Sequence, residues 1–198
     1  MIQDSESRAY LVGPELIRMA VAVVRDLDIR SIAKPVMLEM HDALGETVHL
    51  SIRQGPEILF IDSVESRKSL RVGIRTGQKM PAHATAAGKV LLADLDQEHL
   101  RALYPEPSLE ARTTRTITSR RDLEAQLEAV REQGYAVNVG ESEDEVSSVA
   151  VPVIDVRKRV RAALAIAAPR VRLDIAEAPA IAQTLRPGAA KIGEILLV

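Results

Sequence analysis

The sequence predicts an α+β domain in which helices cover an antiparallel sheet, and three features carry the prediction. Two blocks of alternating hydrophobicity, residues 46–76 and 135–168, each hold three candidate strands. Helical spacing precedes the first block, separates the two, and follows the second. Strands succeed strands instead of alternating with helices, which argues against a doubly wound parallel sheet.

The elements follow in order. Leu11, Leu16, Met19, Ala20, Val23, Val24 and Leu27 recur at helical spacing, and Pro14 suits a first turn, where its missing N–H costs little. A second helical pattern through Ile32, Val36, Met37, Met40 and Leu44 stops at Gly45, a fitting C-terminal cap. From Glu46 the period becomes two. Val48, Leu50 and Ile52 alternate with polar neighbours, Gln54-Gly55-Pro56 turns the chain, and Ile58 to Val64 returns as the second strand of a hairpin. Leu70, Val72 and Ile74 read as a third strand closed by Gly77, and helices fit residues 84–94 and 97–104. After a Pro- and Thr-rich stretch, Ser119 with Asp122 opens a helix that buries Leu123, Leu127 and Val130 and ends at Gly134. Strands are then expected over 135–139, along Val149, Val151 and Val153, and over 160–168, with Pro152 pushing its strand to an edge or bulge. The acidic loop from Glu141 to Glu145 reads as a solvated turn, and 174–197 as a helix interrupted around Pro187-Gly188.

Composition narrows the function classes. With 198 residues, 46% of them hydrophobic, the chain can bury one sizeable core, yet Phe60, Tyr10, Tyr104 and Tyr135 are its only aromatics, so that core is aliphatic. The absence of cysteine excludes disulfides, thiolate catalysis and Cys-ligated zinc. A net charge of −2 argues against this chain gripping nucleic acid by itself. The opening Gln3 to Glu6 is no signal peptide, and no apolar run approaches the roughly 18 residues of a membrane span, so a soluble, cytoplasmic protein is expected.

The most informative stretch is Met80 to Ala93. Small residues from Ala82 to Gly88 lead straight into an apolar helical pattern, so a ligand can approach the backbone where the first helical N–H groups lack internal partners. Free donors and the positive end of the helix dipole coincide there, which suits a carboxylate or phosphate. A nucleotide phosphate loop is excluded, because His83 and Val90 stand where that motif needs glycine and Ser or Thr. His41, His49, His83 and His99 show no metal-pair spacing; of the four, only His83, just before the helix start, invites a ligand-binding role. Ser147 and Ser148 lack a nucleophile elbow, and the crowded carboxylates Glu141, Glu143, Asp144 and Glu145 read as solvated and mutually repelling. No catalytic residue, metal or cofactor is expected.

Several strings resemble the effector-binding domain of the IclR family of bacterial transcription regulators. Tyr10 to Pro14 resembles the start of the family's linker helix, and Gly45-Glu-Thr-Val-His-Leu50 its first-strand signature. His83-Ala-Thr-Ala-Ala-Gly-Lys89 with Leu92-Ala93 resembles its most recognisable string, and Thr116 to Leu123, Gly134 to Val137, Ala150 to Pro152 and Pro169 complete the series. The resemblance implies a GAF/profilin-like six-stranded antiparallel sheet flanked by helices, with residues 1–28 a linker helix from a DNA-binding domain and 29–198 the effector-binding domain. It implies a homodimer or tetramer that senses a small organic acid or aromatic catabolite. Carried onto this chain, the pocket would use backbone N–H groups around Ala86, Ala87 and Gly88, and polar side chains of Asn138 and Ser148. Val72, Met80 and Val146 would form its wall, and Ala165 with Ala167 its floor.

Three departures from the family pattern qualify this. Asn138 replaces an acidic residue, and Ala165 and Ala167 replace hydroxyls, so a larger or less polar effector is expected, held by its acid end. Glu145 stands where glycine is usual. The family's winged helix-turn-helix does not fit in about ten residues ahead of the linker helix. An excised domain or a shortened gene is therefore expected, with operator DNA reached only through the missing domain. A hydrolase acting on a small acid is the competing expectation, and needs a base near Ser148.

Overall fold

A single antiparallel sheet, covered on both faces, organises the chain. The computed structural model describes residues 2–3, 10–11 and 14–196, with side chains described from Ile29 to Leu196. After a short antiparallel pair, β1 (Ile2–Gln3) and β2 (Tyr10–Leu11), comes α1 (Pro14–Leu44) and then the hairpin β3 (Thr47–Gln54) and β4 (Glu57–Val64). β5 (Lys79–Pro81), α2 (Ala86–Ala93), α3 (Gln97–Leu103) and α4 (Arg120–Gln133) follow. β6 (Ala136–Val139), β7 (Val146–Ile154), β8 (Val160–Pro169) and α5 (Ala178–Ile195) complete the chain. β3 to β8 form one six-stranded sheet in the order β5-β4-β3-β8-β7-β6, every neighbouring pair antiparallel. This is the predicted α+β architecture.

Each face of the sheet has its own core because successive side chains point to opposite sides. Val48, Leu50, Val149, Val151, Leu164 and Ile166 bury one face against α1 and α5. The other face is built from Ile58, Phe60, Ala136, Ala150, Ala163 and Ala165, and α2 and α4 cover it. Alanine at four of those positions leaves room for helices to sit close to the strands, which is how an aromatic-poor chain reaches dense packing. Ser119 caps α4 by accepting from the Asp122 N–H, and Gly134 ends it at φ 72°.

Four expectations from the sequence need correction. No strand forms over 70–74; Leu70 and Ile74 are exposed, and the partner of β4 is Lys79–Pro81 instead. The backbone there is claimed by the turn before β5, where Gln78 O accepts from Phe60 N and Phe60 O accepts from Gly77 N. The two N-terminal helical patterns belong to one helix, which crosses the 28/29 boundary and carries Pro35 inside it; the apolar face read from Leu11 to Leu27 lies outside the described side chains. Helix α5 likewise runs through Pro187, because Ile181, Leu185, Ala189 and Ile192 hold it on the sheet and Gly188 lets it meet Val36 of α1. Finally, the acidic loop is not simply a solvated turn, since Glu141 and Ser142 are buried. Pro152 stands beyond the last β6–β7 pair, at a free edge of β7 where its missing N–H costs no ladder bond.

Candidate functional site

The start of α2 is shaped by a close backbone approach. Residues 82–84 form one 3-10 turn, Thr85 breaks it with an extended conformation, and the Thr85 hydroxyl accepts from the Gly88 N–H at 3.0 Å. A Cβ on Gly88 would lie 2.1 Å from the Ala82 carbonyl oxygen, so glycine is required for packing. The Gly88 amide is therefore already taken, which corrects the expectation that it serves a ligand, and a bulkier residue there would disturb the fold. The amides of Ala86 and Ala87 make no hydrogen bond among those described, and both residues are buried.

Beside this helix start lies a hollow of about 30 Å³. Seven of the expected site residues line it: Met80, Ala87, Asn138, Val146, Ser148, Ala165 and Ala167. Strand register brings them together, since Asn138 pairs with Ser148 and Ser148 with Ala167, while Ala165 of the next row faces His49. Three expected residues lie outside the lining. Val72 is buried elsewhere, its carbonyl accepting from the Thr47 hydroxyl at 2.6 Å, because its segment is a loop and not a strand. Ala86 and Gly88 stand behind Ala87, turned toward the packing of the helix.

The polar lining is mostly engaged. Asn138 donates to the Ser142 hydroxyl at 2.9 Å and accepts from the Glu141 N–H at 2.8 Å, so it shapes the loop after β6. Ser148 lines the hollow on β7, opposite Asn138 and Ala167, and its hydroxyl makes no hydrogen bond among those described. His83, the histidine singled out from sequence, instead holds the Glu110 carbonyl at 2.9 Å and does not line the hollow. Among the described residues no cluster of three His, Asp or Glu is placed to hold a metal ion.

The structure adds residues that the sequence did not mark. His49 lines the hollow, pairs through Nδ1 with the Ser63 hydroxyl at 2.8 Å, and leaves Nε2 without a partner. Burial, with the nearby Arg75 charge, pushes its pKa down to about 3, so the ring is neutral at physiological pH. Arg75 also lines the hollow and is bound by both Glu143 oxygens, at 2.9 and 2.6 Å. Behind the hollow Lys89, only 1% exposed, meets both Glu141 oxygens at 2.7 and 2.8 Å and the Gln126 side chain at 3.0 Å. Burial pulls the Lys89 ammonium below its usual range while Glu141 opposes the fall. One signal for His49 was present: Thr47, His49 and Ser51 alternate with Val48, Leu50 and Ile52, and in a sheet covered on both faces the polar alternate lines an interior.

The hollow is thus walled by apolar and polar side chains and set on a helix-covered antiparallel sheet. Comparison with known proteins gives the family. The sequence matches the family described as bacterial transcriptional regulator IclR, C-terminal, over residues 21–194, and the chain belongs to it. It is 38% identical over 175 residues to the HTH-type transcriptional regulator XynR of Escherichia coli, covering 88% of this chain and 69% of XynR. It is 34% identical to the regulator KdgR of Dickeya chrysanthemi, over 86% of this chain and 56% of KdgR. Among solved structures, the PobR inducer-binding domain of Acinetobacter, a double mutant in complex with 3-hydroxybenzoic acid, superposes with a TM-score of 0.77. Its identity is 26%, and the match covers 84% of this chain and 98% of that one.

Proposed function

We propose that this domain senses a small organic acid for an IclR-type regulator, with the acid group received at the start of α2. The observation that carries the reading is the Ala87 amide, which has no partner among the described hydrogen bonds and belongs to a residue lining the hollow. The floor offers only the methyl groups of Ala165 and Ala167, while Phe60, Met80 and Val146 supply an apolar wall, so the effector carries an apolar or aromatic body. His49 Nε2, which has no partner among the described hydrogen bonds, and Ser148 on the same lining are the side chains offered to its polar substituents. The aromatic acid seen in the PobR relative is of this chemical kind.

The hollow is about 30 Å³, whereas small-molecule sites typically offer several hundred Å³. Binding therefore expands the lining, and this movement is the signal. In the full regulator, residues 1–28 lead from a DNA-binding domain into the sensing domain at 29–198, and α1 runs unbroken across that boundary from Pro14 to Leu44. The protein works in the cytoplasm as a homodimer or tetramer, and reaches operator DNA through a winged helix-turn-helix. No described helix is long and apolar enough to cross a membrane.

A thermal-shift screen of monocarboxylates, including pyruvate, benzoate and 3-hydroxybenzoate, tests the reading alongside an Ala165→Leu variant that fills the floor. At least one acid is expected to raise the melting temperature of the wild type and to lose that effect in Ala165→Leu. An acid response that survives the filled floor places binding elsewhere and refutes the site.

A further inference from the structure

The hollow is lined by one cation, and that cation is held by an anion that is not part of the lining. Arg75 is fixed in place. Its loop, between β4 and β5, is pinned by Thr47 on the Val72 carbonyl, by Ser66 on the Gly45 carbonyl, and by Arg172, which donates to the Leu70 carbonyl while gripping Glu46. The Arg75 amide donates to the Ser63 hydroxyl, and the guanidinium touches Met80 Sδ at 3.6 Å. Arg75 is 16% exposed in its side chain; its partner Glu143 is 44% exposed.

Glu143 is tethered differently. On one side of it Glu141 is locked by Lys89, and on the other Glu145 accepts from the Arg170 amide. Between these anchors the Glu143 side chain is tied only to Arg75 among the described contacts, and its outer side is exposed. The cation is thus built in and the anion is removable.

We propose that Arg75 is the charge partner of the effector's carboxylate, and that Glu143 is an internal competitor which that carboxylate displaces. The inference rests on the functional reading above. A second carboxylate entering so small a hollow beside an intact Arg75–Glu143 pair would add an unpaired negative charge, which a partly buried site penalises. Exchange keeps the charge balanced: the incoming carboxylate takes the bidentate seat, and Glu143 turns into solvent. Ala87 and Arg75 line the same narrow space, so the two oxygens of one carboxylate are shared between the amide and the guanidinium. Displacement removes the one side-chain tie of Glu143, while Asn138 and the Val146 N–H still hold the backbone of its loop, and so couples occupancy to the packing of that loop.

The test is titration calorimetry of the full chain with benzoate, pyruvate and the neutral control benzamide, using wild type, Glu143→Gln, Arg75→Gln and Ala165→Leu. Removing the competitor in Glu143→Gln is expected to tighten carboxylate binding by about tenfold or more and to leave benzamide unaffected, while Arg75→Gln weakens carboxylate binding by a similar factor. If Ala165→Leu abolishes binding but Glu143→Gln leaves affinity unchanged or weaker, the site stands and the competitor role is overturned. Retained affinity in a folded Arg75→Gln, checked by its melting curve, also overturns it. If Ala165→Leu binds normally, or if no carboxylate binds any variant, both the site and this inference fall.

Discussion

Removing Glu141 should cost far more than the loss of an ordinary ion pair, and the structure gives the size of the effect. Lys89 Nζ has three acceptors, two of them Glu141 oxygens and the third the Gln126 side chain. In Glu141→Ala a side chain that is 1% exposed keeps one neutral acceptor for its ammonium. Stranding one member of a buried pair typically costs about 3–5 kcal/mol, and the 11% exposure of Glu141, which lets some water approach, favours the lower end. Lys89 can relieve the strain by losing its proton, since burial already depresses its pKa and Glu141 is what holds it up. In that variant the unfolded chain binds more protons than the folded one, so stability should rise with pH toward the ordinary lysine range. Urea denaturation followed by circular dichroism measures both effects. A double substitution, Lys89→Met with Glu141→Leu, should recover most of the loss, because an apolar pair of similar volume avoids burying charge. A Glu141→Ala penalty below about 0.5 kcal/mol, as an exposed pair gives, would refute the reasoning.

Other consequences are as direct. His49 has a folded pKa of about 3 against an ordinary 6.5, so its contribution is complete above about pH 6.5 and is lost as pH falls toward 3. Across that interval wild type should lose on the order of a few kcal/mol more than His49→Gln, and equal slopes in the two denaturation series would contradict this. Gly88→Ala, which in an unconstrained helix gains roughly 1 kcal/mol, should here destabilise by about 2 kcal/mol or more, because the added Cβ meets the Ala82 backbone at 2.1 Å. A neutral or stabilising result would show that the 3-10 turn can shift away.

How much of this was legible in the sequence depends on the range of the interaction. Local signals were strong. Ser119, Asp122 and Gly134 mark α4 at both ends, and the small residues before Val90 mark the start of α2. The all-antiparallel sheet followed from strands succeeding strands. Where two segments compete for one partner, the sequence misled. Leu70, Val72 and Ile74 alternate like a strand, yet the edge of β4 is taken by Lys79–Pro81, whose short run carries little signal. Pro187 and Gly188 look like a break because their local cost is visible and the distant surface that offsets it is not. The site divided the same way. Ala165, Ala167, Asn138 and Ser148 came together through cross-strand register, whereas Arg75 and Glu143 are 68 positions apart and nothing local connects them. The reading of Glu141 as a solvated, repelling charge failed because its cation, Lys89, lies on another element; Glu143 is exposed as expected but is paired with Arg75 instead of repelled.

The central claim is that an acid is received by the free amide at the start of α2. Amide chemical shifts of the isotopically labelled chain, followed through a titration with the carboxylate that stabilises it most, test this directly. The Ala87 N–H should move downfield and saturate at the concentration that saturates the thermal shift, while the Gly88 N–H, held by Thr85, moves less. An Ala87 resonance that stays still while the protein is stabilised would contradict the account.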